Sequence, residues 1–338
     1  MRFLAYQTQA RRHTLWLYTL YIVLVALVSL ALAGVFYLSF MAVTWRTFLI
    51  GYEGWRGFAA SLPYTAGVPC AVILCLSAWQ IVSLRSQGPA RLMDAMNARM
   101  ISASRAETPA ERQLLNVVAE VALAAQHRAP IVFVMDHEPS INAFAAGTLN
   151  THFVVGISAG ALRLLNRDEL QAMVGHEMSH IIEGDAAVNM TLSGLSYGLN
   201  SVYALGEHLC DNESKSWGTS MAGLVLLFIG YLGVLAAELL QASVSQQREF
   251  LADAGSVRLT RNPSAMVAAL SKIQTHTRLD LNQSALHNAS AKGHAYAFFN
   301  AQRLSHTRLE SDAQAAQGSD WLATHPPLRE RIRRVLQM

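Results

Sequence analysis

The amino-acid sequence predicts an α+β protein, mainly α, in which a polar part with a small β-sheet is joined to membrane-crossing helices. Three observations point there. Two long runs, residues 14–45 and 64–84, carry no charge at all. Two helix-start signatures, at Thr108 and Asn166, each introduce apolar residues at helical spacing. Short apolar runs at Ile131–Met135 and residues 151–158 read as strands.

Composition agrees with this division. Of 338 residues, 52% are hydrophobic and only 14% charged, against roughly a quarter charged in a typical soluble domain. The excess apolar surface belongs in a bilayer. The length suits one catalytic unit plus an anchor, here 1–90 as anchor with two transmembrane helices and 91–338 as the catalytic domain. The net charge of +3 is small, and the arginines lack the aromatic interleaving of a nucleic-acid binder, so no nucleic-acid partner is expected. Cys70, Cys75 and Cys210 lie in or beside apolar segments without metal-ligand pairing, which supports neither a disulfide framework nor a cysteine-based metal site.

The first run exceeds the roughly 20 residues that span a hydrocarbon core. It also outlasts the short apolar region of a signal peptide, continuing through Val35, Phe36, Leu38 and Met41. Arg2, Arg11 and Arg12 precede the first span, and Arg85, Arg91, Arg99 and Arg105 follow the second, whereas Arg46 and Arg56 lie between. The positive-inside rule therefore puts both outer ends in the cytoplasm. A later pair, residues 188–205 and 221–237, suggests a hydrophobic hairpin at 186–241. The first member is diluted by Asn189, Thr191, Ser193 and Asn200, and because the second uncharged run is close to the minimum length, two buried or interfacial helices are the alternative.

In the polar part, residues 85–107 read as a linker or short helix. Thr108, Pro109 and Glu111 occupy the positions of a capping box, and the following helix is expected to run to about His127. Pro130 opens the first strand. Asn166 and Glu169 start the next helix, which Gly184 ends. Residues 238–259 read as another helix, Asn262 and Pro263 open a further one, and Pro326 and Pro327 introduce a terminal basic helix over 328–337. Residues 287–320 read as loop.

His176-Glu177-Met178-Ser179-His180 lies inside the Asn166 helix. Histidines four apart project from one helical face and can share a tetrahedral zinc, with Glu177 beside the metal as general base for a water. A catalytic zinc needs a third protein ligand and an open position. Glu249 is the candidate, because Asp253 follows four residues later on the same helical face, able to hold a ligand histidine by its other nitrogen. Glu207, His208 and Glu238 are the competitors, but each sits in or next to an apolar segment and lacks the paired carboxylate.

Over roughly residues 106–336 the sequence resembles the HtpX-like membrane zinc metallopeptidases, in the family that also includes the type I CAAX prenyl proteases. The motifs that carry the likeness are Asn142-Ala143-Phe144-Ala145-Ala146-Gly147, His176-Glu177-Met178-Ser179-His180, Glu249-Phe250-Leu251-Ala252-Asp253 and Thr324-His325-Pro326-Pro327. The resemblance implies a gluzincin-type core with Zn2+ held by His176, His180 and Glu249, and a sheet edge that aligns a peptide. It further implies that Asn142 and Ala143 lie near the substrate strand and that His325 forms the far wall of the cleft or supports an oxyanion. From the residues alone, Asn142 reads as a turn residue and His325 as part of a proline-rich helix start.

The activity this implies is endopeptidase cleavage of peptide bonds in protein or peptide substrates. Those substrates are expected to be damaged or misassembled membrane proteins met at the lipid bilayer. The location that follows is a multi-pass protein of the cell inner membrane with its catalytic domain facing the cytoplasm. Two alternatives stand beside it, a prenyl-peptide protease and a catalytically idle zinc-containing membrane scaffold.

Overall fold

A computed structural model of the chain describes residues 18–34, 63–87, 97–147, 153–210, 217–279 and 325–338, together with Trp16, Ala60 and Met93. The expectations for residues 35–45 and 287–320 lie outside these. The described residues fall into two compact units, one within 85–189 and 242–338, the other within 11–84 and 190–241.

In the second unit, α1 (Tyr18–Gly34) and α2 (Gly67–Gln87) are joined by parts of α6 (Asp185–Cys210) and α7 (Trp217–Thr260). Tyr21, Val25 and Val28 of α1, Ile73 of α2, Leu199 and Val202 of α6 and Ala237 of α7 form its core. Gly194 lets α6 lie against α2, since a Cβ there would fall 2.3 Å from the Ile81 side chain. Tyr21 satisfies its hydroxyl on the carbonyl oxygen of Leu195 at 2.9 Å and on Ser77 Oγ at 3.1 Å. Large apolar side chains instead face outward, among them Trp79, Val82, Phe228 and Leu232, as a surface bathed in lipid would require. Among the described residues, Pro63–Ser86 and Ser220–Thr260 are the segments long and apolar enough to cross a membrane. The polar residues noted in α6 keep that helix below the same standard.

The other unit is a four-stranded mixed sheet with helices. Its strands are β1 (Arg99–Ile101), β2 (Ile131–Met135), β3 (Ala143–Ala146) and β4 (Val154–Ser158), in the order β1-β2-β4-β3. β2 and β4 run parallel, and β1 and β3 pair antiparallel with β2 and β4. β1 falls where a linker or short helix was expected. Three residues are too few to show a strand's alternation, and Arg99 is held there by Asp136 at 2.9 Å and Glu111 at 2.7 Å. β3 lacks β-branched residues. It is held by its register with β4, where the Phe144 ring lies across Gly156 so closely that a Cβ would meet it at 2.0 Å.

α3 (Pro109–Ala124) begins with its capping box intact. Thr108 Oγ1 accepts from the Glu111 backbone at 3.2 Å, and the Glu111 carboxylate accepts from the Thr108 backbone at 3.4 Å. The helix stops three residues short of His127 because Gln126 takes a left-handed φ of 53°. A short α4 (Ala159–Leu164) precedes α5 (Arg167–Glu183), and α8 (Pro263–Leu279) and α9 (Leu328–Val335) complete the unit. Residues 238–259 form no separate helix, because α7 continues unbroken through Glu238 for 44 residues. One core joins Leu114, Val118 and Val121 of α3, Val132 and Val134 of β2, Val155 and Ile157 of β4, Leu170, Met173 and Val174 of α5, and Met266 and Leu270 of α8.

Candidate metal centre

α5 carries the HEMSH segment through this core. Its start is fixed by the Asn166 capping box, with Asn166 Oδ1 accepting from Glu169 at 2.9 Å and the Glu169 carboxylate accepting from Asn166 at 2.8 Å. α7 crosses α5 at very short range, through small residues on both helices. Gly255 faces Ser179, where an added Cβ would lie 2.0 Å from the hydroxyl oxygen, and Ser256 donates to the carbonyl oxygen of Ala172 at 2.6 Å. This close approach brings Glu249 to the histidines.

His176 Nε2 and His180 Nε2 are 3.0 Å apart. Glu249 Oε2 stands 3.6 Å from the first and Oε1 3.4 Å from the second. The far side of each imidazole meets an aspartate, His176 Nδ1 at 2.9 Å from Asp253 Oδ1 and His180 Nδ1 at 2.5 Å from Asp185 Oδ2. A carboxylate can only accept, so each neutral ring carries its proton on Nδ1 and turns a lone pair inward on Nε2. Two lone pairs and a carboxylate then converge with no donor among them. Tetrahedral zinc, with bonds of about 2.0–2.1 Å to nitrogen, sets its ligand nitrogens about 3.3 Å apart, so the residues present fit a metal ion. The three donor atoms all lie within 4.8 Å of one another.

The charges follow the same logic. Burial pulls the His176 imidazole down to about 4, against the pull of Asp253 and with the repulsion of His180. Burial also opposes charge on His180, but Asp185 and Glu249 outweigh it and raise that group well above the ordinary range. Glu177 is buried, and this pushes its carboxyl up to about 8, partly offset by His180.

Three side chains here were not picked out in the sequence. Asp185 hides behind the helix end at Gly184, and Arg248 grips it, the Arg248 Nε lying 2.5 Å from Asp185 Oδ1. Arg331, in the terminal basic helix, is fully buried. It donates to Asp253 at 2.9 and 2.7 Å and lies 3.0 Å from Glu249 Oε2. The signal for Arg331 was present, because Leu328, Arg331, Ile332 and Val335 share one face of α9 and the other three are apolar.

His325 is brought to the cluster, its Nδ1 at 3.2 Å from Glu249 Oε2. Asn142 and Ala143 stand at the start of edge strand β3, which packs beside α5. Both are buried. Asn142 does not form the turn that its residue type suggests but leads directly into β3. Its backbone N–H donates to Ser158 Oγ at 2.9 Å, and its side-chain oxygen accepts from Ala143 at 2.9 Å.

A small mixed sheet beside a helix that presents two histidines to a glutamate of a second helix defines a metallopeptidase. The chain belongs to peptidase family M48, whose model matches residues 106–338. It is 30% identical over 291 residues to a protease HtpX homolog of Streptococcus equi subsp. equi, covering 83% of this chain and 90% of that protein. The likeness to the protease HtpX homolog of Levilactobacillus brevis is 30% over 305 residues, with 86% and 90% covered. The crystal structure of S. mikatae Ste24p is similar at a TM-score of 0.47 and 15% identity, over 87% of this chain and 63% of that one. This is a membrane metalloprotease, acting on peptides or proteins.

Proposed function

We propose that the protein is a zinc-dependent endopeptidase of the cell inner membrane that cleaves damaged or misassembled membrane proteins. The observation that carries this reading is the convergence of His176, His180 and Glu249 beside the buried Glu177. In this reading residues 1–90 are the anchor, 91–338 the peptidase domain, and 186–241 a membrane hairpin, with the peptidase domain in the cytoplasm as the arginine distribution favours. The membrane setting of the substrate is supported by chain position, since His180 and Glu249 each lie within about ten residues of an apolar stretch.

His176, His180 and Glu249 would hold the zinc, which when bound would supply a Lewis acid for a scissile carbonyl and lower the pKa of a water toward about 7. Glu177 would take a proton from the attacking water and deliver it to the leaving amine nitrogen. Its buried site favours the neutral acid, and a nearby cation restores the carboxylate needed for the first of these transfers. Asp253 holds His176 in the tautomer that leaves Nε2 free. Asn142 and Ala143 are assigned to the substrate strand along β3, and His325 to the wall of the cleft, as a donor to the developing oxyanion.

Replacing Glu177 with Gln removes the base and keeps the shape. Cleavage of a membrane-inserted substrate should vanish while zinc content stays near that of the unsubstituted protein. Retained cleavage would overturn the mechanism, and activity confined to soluble or farnesylated peptides would overturn the substrate class. The buried position of Glu177 argues against an idle scaffold, because a structural zinc site has four protein ligands and no use for a base.

A further inference from the structure

The two histidines are supported in parallel, but from different parts of the chain. His176 leans on Asp253, four residues beyond Glu249 on α7, and Asp253 is held by Arg331. His180 leans on Asp185, a residue of its own neighbourhood, and Asp185 is held by Arg248. The route by which Asp185 reaches back is local. Gly184 takes a left-handed φ of 70° and ends α5, a conformation glycine adopts without steric cost. The chain then restarts as α6 with Asp185 in the first turn, turned toward a ring five residues earlier.

Resting on the metal-centre reading above, we infer that Asp185, clamped by Arg248, is a positioning residue that fixes the ring orientation and tautomer of His180. Asp185 is buried, and its two oxygens are divided between two partners, Oδ2 to His180 Nδ1 at 2.5 Å and Oδ1 to Arg248 Nε at 2.5 Å. A second guanidinium nitrogen, Nη2, also meets Oδ1. The same nitrogen donates to the carbonyl oxygen of Glu183 at 3.1 Å, one of the carbonyls left open at the end of α5. Arg248 immediately precedes Glu249. The pair therefore ties the end of the histidine helix to the residue before the third ligand, and sets the spacing between His180 and Glu249. A buried acid with no task beyond neutralising Arg248 would have no need to point one oxygen at an imidazole.

The test uses the detergent-solubilised full chain with three variants: Asp185→Asn, the charge-neutral double variant Asp185→Asn with Arg248→Gln, and Asp168→Asn as an exposed control. Zinc affinity is measured by competition with a chromogenic chelator, the ligand field by the visible absorption of the cobalt-loaded protein, and folding by circular dichroism. For the double variant, which leaves no buried charge unpaired, we expect normal helix content, zinc affinity about 10- to 100-fold weaker and a shifted cobalt spectrum. The control should match the unsubstituted protein. A folded double variant with unchanged zinc affinity and cobalt spectrum overturns the proposal, and if it does not fold, Asp185→Asn decides by the same readouts. His180→Ala and Glu249→Ala separate this from the underlying reading. If they bind zinc as tightly as the unsubstituted protein, the metal centre itself is wrong; if they lose it while the Asp185 variants do not, only the positioning role fails.

Discussion

Arg331 grips Asp253 through two hydrogen bonds of 2.9 and 2.7 Å, with both side chains almost fully buried. The same guanidinium lies 3.0 Å from Glu249, so one cation at the far end of the chain neutralises two carboxylates of the metal centre. Arg331→Met would leave Asp253 buried without its counter-ion and take one cation from Glu249, a loss of the kind that costs about 3–5 kcal/mol. The melting temperature should drop and zinc be lost together. Arg331→Lys keeps the charge but not the fork that meets Asp253 on two nitrogens, and should fall between the two. Thermal melts and zinc content of the three proteins check this order.

Gly255 offers a second test, in which two effects of opposite sign compete. By helix propensity alone, Gly255→Ala should stabilise α7 by about 1 kcal/mol. The new Cβ would sit 2.0 Å from Ser179 Oγ and 2.7 Å from Ser179 Cβ, and no rotamer moves a Cβ. Overpacking of this sort costs about 1–3 kcal/mol, so the variant should be less stable. Because the clash pushes apart the helices that bear His180 and Glu249, zinc should also bind more weakly. Adding Ser179→Gly removes the obstacle, and recovery of both stability and zinc affinity in the double variant is the expected result.

These two sites show what the sequence could and could not reveal. His176, Glu177 and His180 were legible because helical spacing alone puts ligands four apart on one face, and Glu249 with Asp253 repeated that local pattern. Asp185 and Arg331 depend on folding back, the first through one left-handed glycine, the second through packing across a long stretch of sequence. The apolar face of α9 marks Arg331 as inward-facing, but which acids it meets is set only by the fold. The strands divide in the same way: β2 and β4 declare themselves by β-branched runs, whereas β1 and β3 owe their form to neighbours. The close crossing at Ser179, Gly255 and Ser256, and at Gly175, where a Cβ would lie 3.1 Å from Ser256 Oγ, is a property of two helices together, and neither one announces it.

Metal removal should be readable as stability. A ligand that binds only the folded state stabilises it by an amount that grows with its free concentration, about 2.7 kcal/mol at 100 times its dissociation constant. The melting temperature of chelator-treated protein should therefore rise as zinc is added back. His180→Ala should abolish that rise, and Asp168→Asn, an exposed acid of the same helix, should preserve it. A rise that persists in the His180 variant would place zinc somewhere else.

Glu111 gives a pH test well away from the metal centre. Arg99, bonded at 2.7 Å, holds its carboxyl below the usual range, with the Glu107 and Thr108 backbone donors adding to the effect against the cost of burial. A carboxyl whose folded pKa is depressed stabilises the fold above its unfolded pKa, and that contribution disappears as pH falls through the folded value. Glu111→Gln can still cap α3 but cannot answer the charge of Arg99. Since Arg99 is about one-third exposed, the loss at pH 7 should be modest, about 1 kcal/mol. The gap between the two proteins in denaturant melts should stay constant from pH 7 to about 5 and close below about pH 4. A gap of the same size at pH 3 would mean that Glu111 acts through its shape and not its charge.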